Sequence, residues 1–215
     1  MSSDATRASG QLAAVRRRFL DLALRKAPVG SGSHPEFLRR RTAMHTWPDL
    51  SAVLGDLPWA IVGGVATRAY MPERHTEDLD VLIAAADSRR AREQLARAGF
   101  TKLSEPAFGG ATWRAPDGRW TVDLIESAAP WVPEALALVE RDPQGLPVLP
   151  LAYFVLMKWQ AGRLRDLADA QQMLGLAADA LLEATRQVFA RYEPDALADL
   201  ESLIWLGKRE MGTEG

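Results

Sequence analysis

The sequence predicts an α+β protein in which a small mixed β-sheet with flanking helices is followed by a C-terminal helical bundle. Short apolar runs of strand length lie in the first 130 residues. A Pro-Asp-Gly turn joins two of these runs, and from Trp131 onward the apolar residues recur at helical spacing. At 215 residues and 47% hydrophobic content, the chain can bury a core of this kind.

Residues 1–45 predict a basic N-terminal helical segment. The apolar residues from Leu12 to Leu22 fall at helical spacing, and nine Lys and Arg stand against four Asp and Glu in the first fifty residues. The arginine runs Arg16–Arg18 and Arg39–Arg41 either contact nucleic-acid phosphates or form a solvated helix face, and the second interpretation is favoured.

Residues 46–130 predict the sheet domain. Apolar runs bounded by turn residues indicate four strands, the last two joined by Pro116-Asp117-Gly118: Trp59–Val62, Leu79–Ile83, Ala111–Ala115 and Trp120–Ile125. Between the first two strands lies room for one helical stretch. Asp87 is placed to begin a helix that runs through about Ala98, with Gly99 at its C-terminal cap.

Residues 131–215 predict the C-terminal helical domain. The apolar periodicity indicates helices near Pro133–Glu140, Leu151–Ala161, Arg163–Leu174, Ala178–Tyr192 and Pro194–Leu206. Strands first and helices afterwards favour a mixed sheet followed by a bundle.

Composition excludes several kinds of site. Because the chain has no cysteine, it has no disulfide, thiolate zinc site or cysteine nucleophile, and any metal must be held by oxygen or histidine ligands. No stretch approaches the roughly 20 apolar residues of a membrane span, and the N-terminus lacks a secretory signal pattern, so we expect a cytoplasmic protein without a membrane partner.

Apolar contexts predict burial for most tryptophans: Trp59, Trp120, Trp131, Trp159 and Trp205.

Asp78 and Asp80 carry the strongest chemical signal. They are two residues apart in a predicted strand, so their side chains share one face. Adjacent carboxylates repel each other unless a cation lies between them, and oxygen ligands suit Mg²⁺. Two such ions about 4 Å apart can stabilise both the attacking and the leaving oxygen of a phosphoryl-type displacement.

The pair Gly63-Gly64 ends the preceding strand and opens a helix. Without Cβ atoms, its backbone amides can approach a phosphate closely. A Gly-Gly pair alone is usually only a tight turn, but its conjunction with the two aspartates indicates a triphosphate site.

Asp123 is a lone charge inside an apolar strand. If this strand neighbours the one that carries Asp78 and Asp80, Asp123 can complete the metal site and accept the proton of an attacking hydroxyl. The alternative is an ion pair with Arg114 on the hairpin partner.

These motifs resemble the nucleotidyltransferase signature of the AbiEii toxin family, within the DNA polymerase β superfamily. The run from Gly63 to Ile83 has the Gly-Gly pair, the Arg-x-Thr-x-Asp-x-Asp pattern and the following strand. A second run, Lys158 to Asp169, is similar to the family's second signature, a lysine followed by Arg-x-Lys-Asp and a further aspartate, with Arg165 in place of the usual lysine.

The resemblance implies transfer of a nucleoside monophosphate from a nucleoside triphosphate, with release of pyrophosphate. Three carboxylates would serve catalysis and hold two Mg²⁺ ions: Asp78, Asp80 and Asp123. Lys158 would contact the triphosphate as a catalytic cation. From the resemblance and from charge, we expect the nucleotide contacts to be made by Gly63, Gly64, Arg68, Arg74, Lys158, Arg163, Asp166 and Asp169.

Simpler roles stay open for the charged residues of the second signature. Arg163 with Asp166, and Arg165 with Asp169, have the spacing of intrahelical ion pairs that would hold a helix hairpin. Arg68 and Arg74 could equally be solvated at the surface.

The resemblance further implies a toxin that adds nucleotides to RNA, with tRNA as the leading acceptor and an antitoxin protein as a partner. One alternative is a small-molecule nucleotidyltransferase that modifies an aminoglycoside-like antibiotic, because the net charge of −7 beyond residue 50 would suit a cationic acceptor. Another is a catalytically silent binding partner with the same fold.

Overall fold

The computed structural model describes residues 46–72, 76, 78–105 and 109–213, together with nine positions between 14 and 25. Its contacts divide into two compact units. The sheet unit comprises the described residues of Pro35–Pro150, and the helical unit those of Met1–His34 and Leu151–Gly215. None of the helices in the described part of the chain combines the length and the apolar content that a bilayer crossing requires.

The described residues of the sheet unit build a seven-stranded mixed sheet. Its strands are β1 (Trp59–Ile61), β2 (Asp78–Ala84), β3 (Thr101–Ser104), β4 (Ala111–Arg114), β5 (Thr121–Ser127), β6 (Glu140–Arg141) and β7 (Pro147–Val148). Their spatial order is β3-β4-β5-β2-β1-β7-β6. Strand β2 runs parallel to β5 and antiparallel to β1, and β1 runs parallel to β7. The predicted α+β class with a mixed sheet is therefore confirmed.

The four predicted strands are present with ends shifted by one or two residues. The predicted turn between β4 and β5 also forms, since Gly118 has φ +70° and its amide donates to the Ala115 carbonyl at 2.9 Å. Strands β3, β6 and β7 were not predicted. They are two to four residues long, which is too short for an alternating pattern to identify them.

Helices of the sheet unit cover the strand ends and the apolar face. They are α1 (Ser51–Leu54), α2 (Gly63–Ala66), α3 (Ser88–Arg97) and α4 (Val132–Ala137), with 3-10 turns at Thr67–Ala69 and Ala85–Asp87. The predicted C-terminal cap of α3 is present, because Gly99 has φ +86°. Asp87, however, makes no side-chain cap, and the Ser88 hydroxyl instead donates to the Ala85 carbonyl at 2.7 Å.

Arg92 ties α3 to the sheet. Its guanidinium donates to both carboxylate oxygens of Glu126 on β5, at 2.6 and 2.9 Å. This hydrogen bonding raises the pKa of Arg92. Helix α3 is thereby fixed on the apolar face of the sheet, where Leu79 and Val122 have no exposed surface.

The helical unit contains α5 (Leu151–Ala161), α6 (Leu164–Leu176), α7 (Asp179–Tyr192) and α8 (Leu197–Met211), with a 3-10 turn at Pro194–Ala196. The predicted helices are all present, although α4 ends three residues before the predicted Glu140 because that residue begins β6. Residues 131–150, which the sequence assigned to the C-terminal domain, lie in the sheet unit. Helices α6 and α8 cross closely at Gly175 and Gly207, where a Cβ on Gly207 would stand 2.2 Å from the Gln171 carbonyl oxygen.

The described positions between 14 and 25 are helical, and two of their arginines contact the helical unit. Arg16 lies over the ring of Trp159 at 4.7 Å, and Arg17 pairs with Asp199 at 2.5 Å. These two arginines are thus engaged within their own unit. Arg39–Arg41 and the predicted apolar positions Leu12 and Leu22 lie outside the described residues.

Burial of the tryptophans follows the prediction with two exceptions, Trp205 and Trp120. Trp205 is 42% exposed and stacks with Arg209 at 5.1 Å, because apolar neighbours on a helix do not reveal which face a residue occupies. Trp120 is half-buried, whereas Trp47 and Trp113, for which no burial was predicted, are buried.

Candidate active site

Two rows of polar side chains cross one face of the sheet at β2, β5 and β4. Paired residues on adjacent strands project to the same face, and adjacent strands lie about 4.8 Å apart. One row is Asp80, Asp123 and Thr112, and the other is Asp78, Thr121 and Arg114. The opposite face of these strands is apolar, so the carboxylates share the solvent-accessible face.

Asp123 meets the condition set by the sequence, because β5 directly neighbours β2 and Asp123 is the register partner of Asp80. Its Oδ1 atom is buried and has no hydrogen-bond partner among the described residues. Arg114 aligns with Thr121, and no ion pair joins it to Asp123. A buried carboxylate oxygen without a donor calls for a proton or a cation.

Gly63 holds the carboxylate of Asp80 against its own backbone. Its φ is +62°, and a Cβ at this position would stand 1.8 Å from Asp80 Oδ2. A side chain there would occupy the space of the carboxylate. Gly64 is also tightly placed, since its Cβ would stand 3.1 Å from Cβ of Thr76. The glycine pair therefore allows the turn after β1 to approach the carboxylates of β2.

Asp78 is oriented by a local hydrogen bond. The Thr76 hydroxyl donates to Asp78 Oδ1 at 2.7 Å.

Within the described residues, no group of three or more His, Asp or Glu side chains stands in a geometry that could hold a metal ion.

Mg²⁺ nevertheless fits the chemistry of this donor set. Asp78, Asp80 and Asp123 supply oxygen ligands from adjacent strands, and the unsatisfied Oδ1 of Asp123 requires a positive partner.

Arg68 has a partner within the sheet unit. Its guanidinium pairs with Asp142 in the turn between β6 and β7 and donates to Gln144 Oε1 at 3.0 Å. The Arg68 and Asp142 side chains are 6% and 0% exposed. Arg68 thus ties the segment after Gly63-Gly64 to the β6–β7 turn, an ion pair between distant positions that no local pattern reveals. The neighbouring candidate Arg74 lies outside the described residues.

The second signature forms a buried ionic network in the helical unit. Lys158 Nζ on α5 lies 2.8 Å from Asp169 Oδ2 and 3.2 Å from Asp166 Oδ1, both on α6. Arg163 Nε donates to Asp166 Oδ2 at 2.7 Å, as its spacing predicted, whereas Arg165 is exposed. The lysine side chain is only 6% exposed. The network therefore joins two helices.

A groove of about 910 Å³ opens beside the carboxylate face, within the sheet unit. Its walls include Thr76, Arg114, Arg119, Trp120 and Thr121. No sequence motif joins these residues. Arg114 could have been placed on the face of Asp123 from the alternation of β4, but the rest of the groove depends on strand pairing.

Comparison with known proteins gives one family match. A family model described as the nucleotidyl transferase AbiEii toxin of a type IV toxin–antitoxin system matches residues 47–214. No curated protein matches the chain.

Solved structures show fainter similarity. The chain is 15% identical to the antibiotic-resistance factor ANT(2″)-Ia in its solution structure, covering 68% of this chain and 81% of that one, with a TM-score of 0.39. A crystal structure of ANT(2″)-Ia with adenylyl-2″-tobramycin gives 15% identity, 70% and 88% coverage and a TM-score of 0.39. JHP933 from Helicobacter pylori gives 14% identity, 83% and 91% coverage and a TM-score of 0.40.

Proposed function

Since this chain belongs to the AbiEii nucleotidyl transferase toxin family, we propose that it transfers a nucleoside monophosphate from a nucleoside triphosphate to a hydroxyl group of RNA, with tRNA as the acceptor class. The observation that supports catalysis most directly is the pairing of Asp80 with Asp123 beside Gly63. The family description also supports an antitoxin protein as a partner. We propose a cytoplasmic location for this activity.

Asp123 is the proposed general base. Its carboxylate accepts the proton of the acceptor hydroxyl, and the hydroxyl oxygen bonds to the α-phosphorus. The bond from that phosphorus to the oxygen bridging the α- and β-phosphates then breaks, and pyrophosphate leaves with the electron pair. The amides of Gly63 and Gly64 bind the phosphates, as the Gly-Gly motif of the family implies.

Asp78, Asp80 and Asp123 are the proposed ligands of two Mg²⁺ ions. When bound, magnesium neutralises phosphate charge and polarises the phosphoryl oxygens. The contact with Gly63 fixes the position of Asp80, while the bond from Thr76 orients Asp78. These contacts keep the carboxylates on one face although they repel one another.

For the second signature we propose a positioning role. Lys158 directs its ammonium group to Asp166 and Asp169, and Arg163, immediately before α6, supports Asp166. These bonds hold α5 against α6. The direct triphosphate contact implied by the family resemblance would require the ammonium to leave two buried carboxylates, at a cost of several kcal/mol.

The test combines purified protein, α-labelled nucleoside triphosphates, Mg²⁺ and total tRNA, with tobramycin as a competing acceptor. We expect label on RNA. Asp80→Asn should abolish transfer without unfolding the protein, because it removes a charged ligand and preserves the side-chain shape. The matched control is Asp56→Asn, which alters an exposed aspartate paired with Arg90 and should retain activity.

Other outcomes separate the alternatives. Label on tobramycin alone would replace RNA by a small-molecule acceptor. No transfer to either acceptor, together with no binding of triphosphate, would identify a catalytically silent protein. Full activity in Asp80→Asn would contradict the carboxylate assignment.

A further inference from the structure

The groove is continuous with the proposed catalytic face. Thr121 on its wall is the register partner of Asp78, and Thr76 donates to the carboxylate of Asp78. Thr121 also precedes Asp123 by two residues on the same strand, so both side chains lie on one face. A ligand in this groove would therefore extend from the carboxylates toward the turn between β4 and β5.

The glycine turn lies on the other side of the carboxylates. Strand β1, which leads into Gly63, borders β2 on the edge away from β5, whereas Arg114 lies on β4 beyond β5. Phosphates bound at Gly63-Gly64 would thus leave the β4–β5 side of the carboxylate face to a second substrate. Asp123, the proposed base, lies between the two.

The lining combines cationic and aromatic side chains. Arg114 is exposed and forms no ion pair with any described residue, and the Arg119 side chain is 83% exposed. Trp120 is half-buried, and its ring is held by an edge-to-face contact with Phe100 at 5.6 Å. Exposed guanidinium groups suit phosphates, and a fixed aromatic ring suits an unpaired base.

We propose that this groove binds the single-stranded end of the RNA acceptor, with Arg114 and Arg119 on its phosphates and Trp120 stacked on a base. This inference rests on the proposed function and names the acceptor subsite of that reaction. Among the lining residues, two arginines stand against one carboxylate, Asp117, which lies 4.0 Å from Arg119, so the lining itself favours an anionic ligand over a cationic antibiotic.

A binding measurement tests the proposed RNA subsite and does not require catalysis. The probe is a short single-stranded RNA labelled with fluorescein at its 5′ end, and anisotropy is measured without nucleotide over a series of salt concentrations. The double variant Arg114→Ala/Arg119→Ala should weaken binding about tenfold or more. It should also reduce the slope of log K against log salt by roughly 1.4, because each single-strand phosphate contact contributes about 0.7.

The matched control is Arg89→Ala/Arg97→Ala, which removes two exposed arginines of α3 in the same unit and should leave binding unchanged. Trp120→Leu keeps an apolar side chain against Phe100 and should weaken binding about fivefold or more through loss of stacking. Circular dichroism checks that each variant is folded. In the transfer assay, the groove variants should raise KM for RNA and leave KM for the triphosphate unchanged.

The proposed subsite and the proposed function can fail separately. Equal weakening by both arginine pairs, or no RNA binding by the wild type, would overturn the subsite. Transfer to RNA with an unchanged KM in the groove variants would overturn the subsite and keep the function. Groove-dependent binding without any transfer would keep the subsite and overturn the function. Tighter binding of tobramycin by the arginine double variant would assign the groove to a cationic acceptor instead.

Discussion

At the residue scale, Gly63 and Asp80 act as one unit because the carboxylate occupies the space that a side chain at position 63 would need. Substitution of the glycine would therefore displace the carboxylate of Asp80, a proposed metal ligand, although Asp80 itself is unchanged. Gly64, the next residue, is itself packed against Thr76.

Gly63→Ala should abolish transfer and destabilise the fold. The new Cβ would stand 1.8 Å from Asp80 Oδ2, and alanine at φ +62° adds roughly 1 kcal/mol or more of backbone strain. The measurements are transfer rate and the free energy of unfolding in urea.

Gly118→Ala provides the matched control. Gly118 has φ +70° but no atom within 4 Å of an added Cβ, so this variant has the backbone strain alone. It should lose only about 1 kcal/mol of stability, less than Gly63→Ala, and keep its catalytic rate constant. Equal activity in the two variants would show that the position of Asp80 does not matter.

Much of the candidate site could be predicted at this scale. The two-residue period of a strand placed Asp78 and Asp80 on one face, and the lone charge in an apolar run identified Asp123. What the sequence could not supply was the partner of each charge. Arg68 pairs with Asp142, which is 74 positions later in the sequence. The two residues meet because β7 joins the sheet beside β1.

At the element scale, Lys158 connects two helices through a buried network. Lys158→Met should lower the free energy of unfolding by about 3 to 5 kcal/mol, because it removes the cation from two buried carboxylates. The double variant Lys158→Met/Asp169→Leu should recover part of that loss. Thermal or urea unfolding measures both.

Lys208→Met is the control in the same unit. Lys208 donates to one backbone carbonyl, that of Ala177, at 2.8 Å, so its replacement should cost only about 1 kcal/mol. If Lys158→Met instead keeps its stability and raises KM for the triphosphate, the lysine contacts the nucleotide and its positioning role is wrong.

Element types were easier to predict from sequence than their ends. Helix α5 was predicted with its observed limits, because Gly162 follows a long apolar run directly. The helix predicted to reach Glu140 stops earlier, since residues 140 and 141 pair with β7. Such short strands acquire their conformation from neighbours in the sheet, which a local window does not contain.

At the scale of the whole molecule, Mg²⁺ should stabilise the folded chain. A ligand that binds only the folded state, at a concentration about ten times its Kd, adds about 1.4 kcal/mol to the free energy of unfolding. This corresponds to a rise in Tm of roughly 3 to 6 °C. Differential scanning fluorimetry with and without Mg²⁺ measures the shift.

Asp123→Asn should remove this shift while raising the Tm in EDTA, because it relieves repulsion between neighbouring carboxylates. Asp56→Asn, at an exposed site away from the carboxylates, should retain the shift of the wild type. A magnesium shift that survives in Asp123→Asn would exclude that residue as a ligand.

The parallel pairing of β2 with β5 also determines at what stage of folding the proposed site forms. Asp80 and Asp123 are register partners separated by 43 positions, and a parallel pair requires a crossover, here the segment through α3, β3 and β4. Loop-closure entropy makes contacts of such long sequence separation slow to form. A nascent chain that ends before β5 carries the Gly-Gly turn and two aspartates but lacks the third carboxylate. The proposed site is therefore complete only once β5 has paired with β2.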